Sequence, residues 1–189
     1  MSNQSGTANG RFPSSIIEGS LETFALCHKK THEQCAAIDK LVDQLFSGDV
    51  RNATCHAASD AAAAIVNFFD VEARLHHEDE EQIFFPMLLA LCIDPAEKSA
   101  LLKIIEILSD DHRMLDKVWG QLRSALLAAP EGRPPSAKIN IALATTFVTL
   151  QRHHMNCEDT GIMPFARRHL DKAALDNLRQ AISTRRRAR

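Results

Sequence analysis

Two segments of this chain share one spacing of histidine, acid and proline. In each segment a glutamate lies four residues after a histidine, a second acid follows directly, and a proline lies five residues after the second acid. The two segments are HHEDEEQIFFP and HMNCEDTGIMP. The matching residues are His76, Glu80, Glu81 and Pro86 in the first segment, and His154, Glu158, Asp159 and Pro164 in the second. Residues four apart on a helix lie about 40° apart around its axis and roughly 6 Å along it. Each histidine therefore shares a helix face with the glutamate that follows, and the two segments form a faint internal repeat carried on helices.

Apolar residues recur at helical spacing along most of the chain, and β-branched residues are dispersed. We therefore expect an all-α protein. The predicted long helices run from Ser20 to about Phe46, from about Asn52 to Leu91, from Asp94-Pro95 to about Leu126, and from Ser136 to about Met163. A short fifth helix is predicted from Asp171 to Ile182. Four long helices with short connections predict an antiparallel up-down-up-down four-helix bundle with a short extra C-terminal helix.

Proline and capping residues indicate where the predicted helices begin, bend or end. Asp94 followed by Pro95 has the form of an N-cap and a first helical residue. The stretch PEGRPPS, residues 130–136, predicts a loop. Pro86 and Pro164 are expected to bend their helices or to end the regular part.

One domain is expected, because 189 residues of which 45% are hydrophobic can bury a sizeable core. Residues 1–18 are polar and predict a flexible N-terminal leader. Residues 19–183 are expected to form the bundle. The closing TRRRAR, residues 184–189, predicts a basic, solvated tail.

Charge and cysteine content exclude several classes of partner. A formal net charge of -2 gives no bulk attraction to nucleic acid or to anionic membranes, so neither is expected as a partner. The five cysteines are odd in number and form no CxxC pair, which favours reduced thiols. The N-terminus lacks a signal core, and no run of 18 apolar residues predicts a membrane span, so the cytoplasm is expected. The absence of tyrosine excludes a tyrosyl-radical function.

Four histidines and two glutamates are expected at one level of the bundle. In antiparallel helices the start of one helix lies beside the end of the next, so His28 and His76 fall at a similar depth. His112 and His154, with Glu158, are placed in a similar way in the second half. Buried carboxylates without partners are costly, and a divalent metal would neutralise and order them. Imidazole with carboxylate suits iron, manganese or zinc, and carboxylates that can bridge favour a pair of irons.

Two other metal-binding families do not fit these spacings. No glutamate has a histidine three residues further on, as the ferritin-like E-x-x-H arrangement requires. HExxH is absent, which removes the usual zinc protease.

The repeated H-x-x-x-E-[ED]-x-x-x-x-P pattern follows, in each half, a helix with a lone histidine, in CHKKTHEQC and in DDHRMLDKVW. This order resembles the hemerythrin-like cation-binding domain of bacteria, over about residues 20 to 170. The resemblance implies a four-helix bundle around two non-haem iron ions, with bridging carboxylates and an oxo or hydroxo bridge. Carried over residue by residue, it implies metal ligands at His28, His76, Glu80, His112, His154 and Glu158.

Two positions of this chain differ from hemerythrin proper. Hemerythrin proper has a further histidine one turn before the third-helix ligand; that position is Leu108 here, which leaves one iron short of a protein ligand. Water, a substrate or another side chain would fill the gap, and His32 is the best candidate among the side chains if helix one is rotated or shifted. The last carboxylate of hemerythrin corresponds to Asp159, but the spacing of four residues favours Glu158.

The neighbouring polar residues have simpler explanations. His77 and His153 point about 100° away from the histidines beside them. They are expected outside the ligand set or at the surface, although a changed register would pair His77 with Glu81. The side chains expected to face water are Glu78, Asp79, Glu81, His56 and His169.

The resemblance and the ligand types predict a cytoplasmic di-iron protein that binds dioxygen or nitric oxide for sensing, storage or protection. Histidine-rich ligation leaves the irons modestly charged and allows an open position for a diatomic ligand. Two alternatives stay open. One is an oxidoreductase that consumes nitric oxide or peroxide at the same centre; the other is a metal-responsive or metal-buffering module that holds zinc, manganese or a single iron. A homodimer is among the expected states.

Overall fold

The computed structural model of the protein describes residues 14–46, 52–127 and 141–188. All regular structure in these ranges is helical, and none of them contains a strand, as the sequence predicts. The α-helices are α1 (Ser14–Phe46), α2 (Asn52–Asn67), α3 (Arg74–Asp79), α4 (Phe85–Leu91), α5 (Pro95–Leu127), α6 (Ile141–Cys157), α7 (Met163–His169) and α8 (Lys172–Arg187). The π-helical turns Phe68–Ala73, Glu80–Phe84 and Glu158–Ile162 join α2 to α3, α3 to α4 and α6 to α7.

In the part of the chain that the structure describes, four continuous helical rods precede α8. The first rod is α1 and the third is α5, each 33 residues long. The second rod comprises α2, α3 and α4 with their π turns, and the fourth comprises α6 and α7 with theirs. α1 begins at Ser14, inside the segment expected to be a flexible leader. The predicted loop PEGRPPS and the predicted start of a helix at Ser136 lie outside the described residues.

Aspartate side chains begin two of the helices. The N–H of Glu97 donates to Asp94 Oδ1 at 2.7 Å at the start of α5. The N–H of Ala174 donates to Asp171 Oδ1 at 2.8 Å at the start of α8. Such caps satisfy backbone donors that the first turn of a helix leaves without a partner. Both starts agree with the sequence prediction.

The π turns of the two repeated segments end two residues before a proline. The N–H of Phe85 donates to the carbonyl of Glu80, and that of Met163 donates to the carbonyl of Glu158, each five residues back. A proline ring clashes with the carbonyl four residues before it and has no N–H to donate, so a wider turn relieves the clash. The helix therefore continues past each proline, and the irregularity lies before the proline.

Two apolar clusters form the core and leave a polar layer between them. α1 contacts α2, α6 and α8, and α5 contacts α2 and α6, which is compatible with the predicted bundle. In every rod one candidate histidine separates a residue of the first cluster from a residue of the second. The first cluster includes Cys35, Ala73, Leu115 and Val148, and the second includes Phe24, Phe84, Leu108 and Ile162. Along the chain, His28 lies between Phe24 and Cys35, His76 between Ala73 and Phe84, His112 between Leu108 and Leu115, and His154 between Val148 and Ile162. Apolar side chains therefore close the polar layer on both sides.

The basic end of α8 packs onto the second rod. The buried residues of α8 are Leu175, Leu178 and Ile182. Arg185 lies one turn further along, where its Nε donates to Asp79 Oδ1 at 2.7 Å and its Nη1 donates to Glu78 Oε2 at 2.8 Å. Arg186 Nε donates to Asp79 Oδ2 at 2.8 Å, and Asp79 is 1% exposed. The structure thus differs from the expected solvated tail and hydrated Asp79, because the helix extends to Arg187 and two arginines neutralise this carboxylate.

In the described ranges, no helix combines the length and the apolar character needed to cross a bilayer. The cysteines whose side chains the structure describes are free thiols, as their odd number predicts.

Candidate metal centre

The six predicted ligand residues meet in the polar layer. They are His28, His76, Glu80, His112, His154 and Glu158, and none is more than 5% exposed. α1 contributes one of them, the second rod two, α5 one and the fourth rod two. All four rods therefore bring nitrogen or oxygen atoms to one level, as the sequence predicts.

The carboxylate of Glu80 lies between histidines of two rods. Its Oε1 is 3.2 Å from His76 Nε2, four residues earlier on the same rod. Its Oε2 is 3.5 Å from His112 Nε2 on α5. The helical spacing accounts for the first contact, and the packing of α5 against the second rod accounts for the second. One carboxylate thereby faces two separate imidazoles, one with each oxygen.

The carboxylate of Glu158 repeats this arrangement. Its Oε1 is 3.4 Å from His154 Nε2 on the same rod, and its Oε2 is 2.7 Å from His28 Nε2 on α1. The Nε2 atoms of His112 and His154 are 3.2 Å apart, and the ring centroids of His28 and His76 are 5.1 Å apart. The cluster therefore consists of two histidine pairs with both carboxylates between them.

The second acid of each repeated segment contacts the outer nitrogen of a histidine. Asp159 Oδ1 lies 3.1 Å from His28 Nδ1, and Glu81 Oε1 lies 2.7 Å from His112 Nδ1. A carboxylate accepts hydrogen bonds, so Nδ1 carries a proton and Nε2 is the nitrogen that faces the centre. The side chain of Asp159 is 55% exposed, whereas that of Glu158 is 1% exposed, so Glu158 is the inward acid. Glu81 is exposed, as expected, and it also orients His112, a role that the sequence does not predict.

A third outer carboxylate comes from α5. Asp111 Oδ2 lies 3.7 Å from His154 Nδ1. Asp111 directly precedes His112 in the chain, just as Glu81 and Asp159 directly follow Glu80 and Glu158.

His77 lies beside this cluster, where the sequence predicts a position outside the ligand set or at the surface. Its ring stacks on His112, with centroids 4.1 Å apart and an angle of 15° between planes, and lies edge-on to His154 at 5.3 Å. One ligand nitrogen from each of these three histidines lies within 4.8 Å of the others. His76 and His77 face different rods because a rod in a bundle has neighbours on two sides. The adjacent pair of histidines is the sequence signal that could have indicated this.

The side chain proposed for the missing ligand does not enter the cluster. His32 is exposed on α1, whereas His28 is buried, so α1 does not have the rotation or shift that would bring His32 into the gap. Leu108 is 0% exposed and belongs to the second apolar cluster.

Two further histidines, His153 and His169, lie outside the centre. His153 is exposed, as expected. His169 is half-buried rather than solvated, because its Nε2 lies 3.3 Å from Glu97 Oε1. The side chain of His56 lies outside the described residues.

Several polar atoms of this layer are buried without an aligned hydrogen bond. Among the described residues these atoms are His28 Nε2, Glu80 Oε2, Asp111 Oδ2, His154 Nδ1 and both carboxylate oxygens of Glu158. His28 Nε2 and Glu158 Oε2 are nevertheless close enough for an ion pair. Buried lone pairs without donors cost free energy, and a divalent cation among them would satisfy several at once. The residues present therefore fit a metal.

Burial and neighbouring charges shift the pKa values of these groups. Burial lowers the pKa of His28, but the Glu158 carboxylate outweighs burial and raises it to about 9. Burial raises the pKa of Glu158, but His28 and the other imidazoles outweigh burial and lower it to about 2.

Burial, with the charge of Glu158, raises the pKa of Glu80 well above its usual range. Burial lowers the pKa of His76 to about 3. The other imidazoles whose pKa burial lowers are His77 and His154. In the metal-free protein, a proton on His28 and a proton on Glu80 therefore offset negative charge in the layer. A bound metal ion would take the place of these protons.

Two overlapping groups of four ligand atoms have the proximity that a metal site requires. The first comprises His28, His76, Glu80 and Glu158, and the second comprises Glu80, His112, His154 and Glu158. Within each group the ligand atoms lie within 4.8 Å of one another. Neutral imidazole nitrogens with carboxylate oxygens suit iron, manganese or zinc.

Comparison with known proteins agrees with this donor set. The model of the family described as Hemerythrin HHE cation binding domain matches residues 20–166. An uncharacterized protein of Haemophilus influenzae is 28% identical over 102 residues, which are 54% of this chain and 54% of that protein. The chain thus spans about half the length of the relative that it matches. Because the family match covers most of the chain and all six clustered residues, the protein belongs to the hemerythrin HHE cation-binding domain family.

Proposed function

We propose that this protein holds two non-haem iron ions in the polar layer and binds dioxygen or nitric oxide there, for sensing, storage or protection in the cytoplasm. The observation that carries this proposal is that both groups of ligand atoms contain Glu80 and Glu158. Each of these carboxylates has one oxygen toward His28 or His76 and the other toward His112 or His154. Two cations side by side, with carboxylates between them, suit this arrangement better than one cation.

The ligand types favour iron and a diatomic ligand. Iron, when bound, supplies redox chemistry and open coordination positions for such a ligand. Imidazole nitrogens outnumber carboxylates in the cluster, which leaves the charge of the site modest and favours binding over cleavage of an O–O bond.

The residues of the chain would orient the ligand atoms and keep water away from them. Asp159 and Glu81 hold the Nδ1 atoms of His28 and His112, so that the Nε2 atoms face inward. The two apolar clusters above and below the layer exclude bulk water, which strengthens electrostatic interactions inside it.

We propose one cavity, whose lining contains none of the six clustered residues, as the route of a small ligand toward them. It has a volume of about 150 Å³ and lies between α1 and the second rod. Cys27 and Leu75 line it, and they directly precede His28 and His76 in the chain. Sites for drug-sized molecules usually have about 300–1,000 Å³, so this cavity suits a diatomic gas better than a larger metabolite.

The architecture proposed for this site is the antiparallel up-down-up-down bundle over residues 19–183, with α8 as an extra C-terminal helix. The contacts of α1 with α2 and α6, and of α5 with α2 and α6, support it. A homodimer stays a prediction, which sedimentation velocity tests.

The test of this function is to load the metal-free full-length chain with ferrous iron in the absence of oxygen and to count the bound ions. We expect two ions per chain, and one reversible spectral change per pair of ions when nitric oxide or dioxygen is added. Glu158→Gln removes the charge of one shared carboxylate and should lower the iron content. His153→Ala changes an exposed histidine next to His154 and should leave the iron content unchanged.

Other outcomes would support the alternatives. Sustained consumption of nitric oxide or peroxide in the presence of a reductant would indicate an oxidoreductase. A single bound ion, without a visible charge-transfer band after loading in air, would indicate a metal-buffering module. Equal loss of iron in His153→Ala and Glu158→Gln would contradict the location of the site.

A further inference from the structure

α5 supplies one histidine to the cluster where the hemerythrin resemblance implies two. Leu108 lies one turn before His112, is 0% exposed and packs in the second apolar cluster with Phe84 and Leu88. Its side chain has no lone pair to offer. With His112 and His154 as its nitrogens, the second group of ligand atoms is one nitrogen short of the family pattern.

His77 lies beside this group, on a different rod. Its ring centroid is 4.1 Å from that of His112 and 5.3 Å from that of His154. Its ligand nitrogen lies within 4.8 Å of the nitrogens of both. His76, one residue earlier, instead lies beside His28, with ring centroids 5.1 Å apart. The two adjacent imidazoles of the second rod therefore lie beside different histidines: His76 beside His28, and His77 beside His112 and His154.

The surroundings of His77 leave space beside its ring. The ring borders a cavity of about 20 Å³, which Phe69 and Trp119 line. Packing therefore does not surround the ring completely, and it has room to tilt when an ion binds.

We propose that His77 is the third nitrogen ligand of the ion held by His112 and His154, in place of the histidine that is absent at Leu108. This inference rests on the proposed two-ion function. It makes the centre asymmetric: three imidazoles and the shared carboxylates on one side, two imidazoles and the same carboxylates on the other.

A purely structural role for His77 predicts a different response to substitution. A phenyl ring can stack on an imidazole much as a second imidazole does. His77→Phe therefore keeps the stacked ring and removes both nitrogens, whereas His77→Ala removes the ring as well. His153→Phe is the matched control, because it makes the same change at the exposed histidine beside His154.

The experiment titrates the metal-free full-length chain with Co²⁺, whose d–d absorption reports the number and type of donor atoms. We expect two ions in the wild type. In both His77 variants the affinity for the second ion should fall by more than about tenfold. The d–d spectrum should change as well, while the melting temperature of metal-free His77→Phe stays close to that of the wild type. His153→Phe should match the wild type in all three measurements.

Three results would overturn the inference. If the wild type binds two ions and His77→Phe binds them with the same affinity and spectrum, His77 is not a ligand and the two-ion function stands. A loss confined to His77→Ala would assign His77 a packing role. If the wild type binds one ion only, the two-ion function and the role of His77 fail together.

Discussion

Asp159 Oδ1 lies 3.1 Å from His28 Nδ1, although 131 residues separate the two in the chain. Glu81 Oε1 makes the equivalent contact with His112 Nδ1 at 2.7 Å, across 31 residues. The second acid of each repeated segment therefore orients the lone histidine of the other half. The internal repeat thus corresponds to an exchange of contacts between the halves, and neither half completes the site alone.

We expect Asp159→Asn and Glu81→Gln to weaken metal binding, although neither change removes an inward ligand atom. Each removes the negative charge that holds an Nδ1–H, so the imidazole loses its fixed orientation and part of its basicity. Loss of such outer contacts typically lowers metal affinity by about 10- to 100-fold. Competition with a chromophoric chelator measures the change. Asp110→Asn is the control, because Asp110 is exposed and pairs with Arg113. An equal loss in that variant would assign the effect to bulk charge.

Arg185→Gln should lower the free energy of unfolding. Arg185 donates to Asp79, to Glu78 and, at 3.0 Å, to the carbonyl of Leu75. Asp79 is 1% exposed, so loss of one of its two arginines leaves a buried carboxylate less well satisfied, at a cost of about 2 kcal/mol. The midpoint of urea denaturation measures this, and Arg187→Gln, at an exposed arginine of the same helix, is the control. Coincident denaturation curves for the wild type and Arg185→Gln would show that the docked end of α8 adds no stability.

Helical spacing and capping residues were sufficient to predict most helix positions and the inward residues. α5 begins behind the Asp94 cap, as predicted. Glu80 and Glu158 face the same way as the histidines four residues before them because the π turns begin at the glutamates. The α-helical geometry between each histidine and its glutamate is therefore undisturbed, and the simple spacing rule holds there.

Contacts between rods could not be predicted in this way. Whether Asp159 reaches His28 depends on how far the π turn rotates the chain and on which rod lies opposite, and spacing within one helix contains neither quantity. The same reason applies to His77, whose angular offset from its neighbour is predictable, whereas the rods on its side are not. Arg185 reaches Asp79 across 106 residues, so only the packing of α8 reveals that pair.

The metal-free protein should lose stability as the pH falls below about 6.5. Burial lowers the pKa of His76 from 6.5 to about 3, so the unfolded chain takes up a proton in a range where the folded chain does not. The unfolded state then binds more protons, and stability falls from about pH 6.5 toward pH 3. His76→Leu should reduce this loss in urea denaturation series at several pH values. An unchanged pH profile in that variant would contradict the neutral, buried state of His76.

His28 acts in the opposite direction. The neighbouring Glu158 carboxylate raises its pKa from 6.5 to about 9, against the effect of burial. The folded state therefore binds the extra proton, so this contribution to stability is present below pH 6.5 and is lost as the pH rises toward 9. In the same denaturation series, metal-free His28→Gln should lack the decline between pH 6.5 and 9. A decline as steep as that of the wild type would assign it to other groups.

The cavity between α1 and the second rod predicts an effect on ligand kinetics. Leu26 lines this cavity and is 54% exposed, so a larger side chain fits there without crowding the core. Leu26→Trp should fill part of the cavity and slow the association of nitric oxide with the iron-loaded protein roughly tenfold, or about 1.4 kcal/mol in the activation barrier. Iron content should not change. Leu127→Trp, at a leucine that is 52% exposed and does not line the cavity, should leave the stopped-flow rate unaltered. Equal rates for the wild type and Leu26→Trp would exclude this cavity as the path of the ligand.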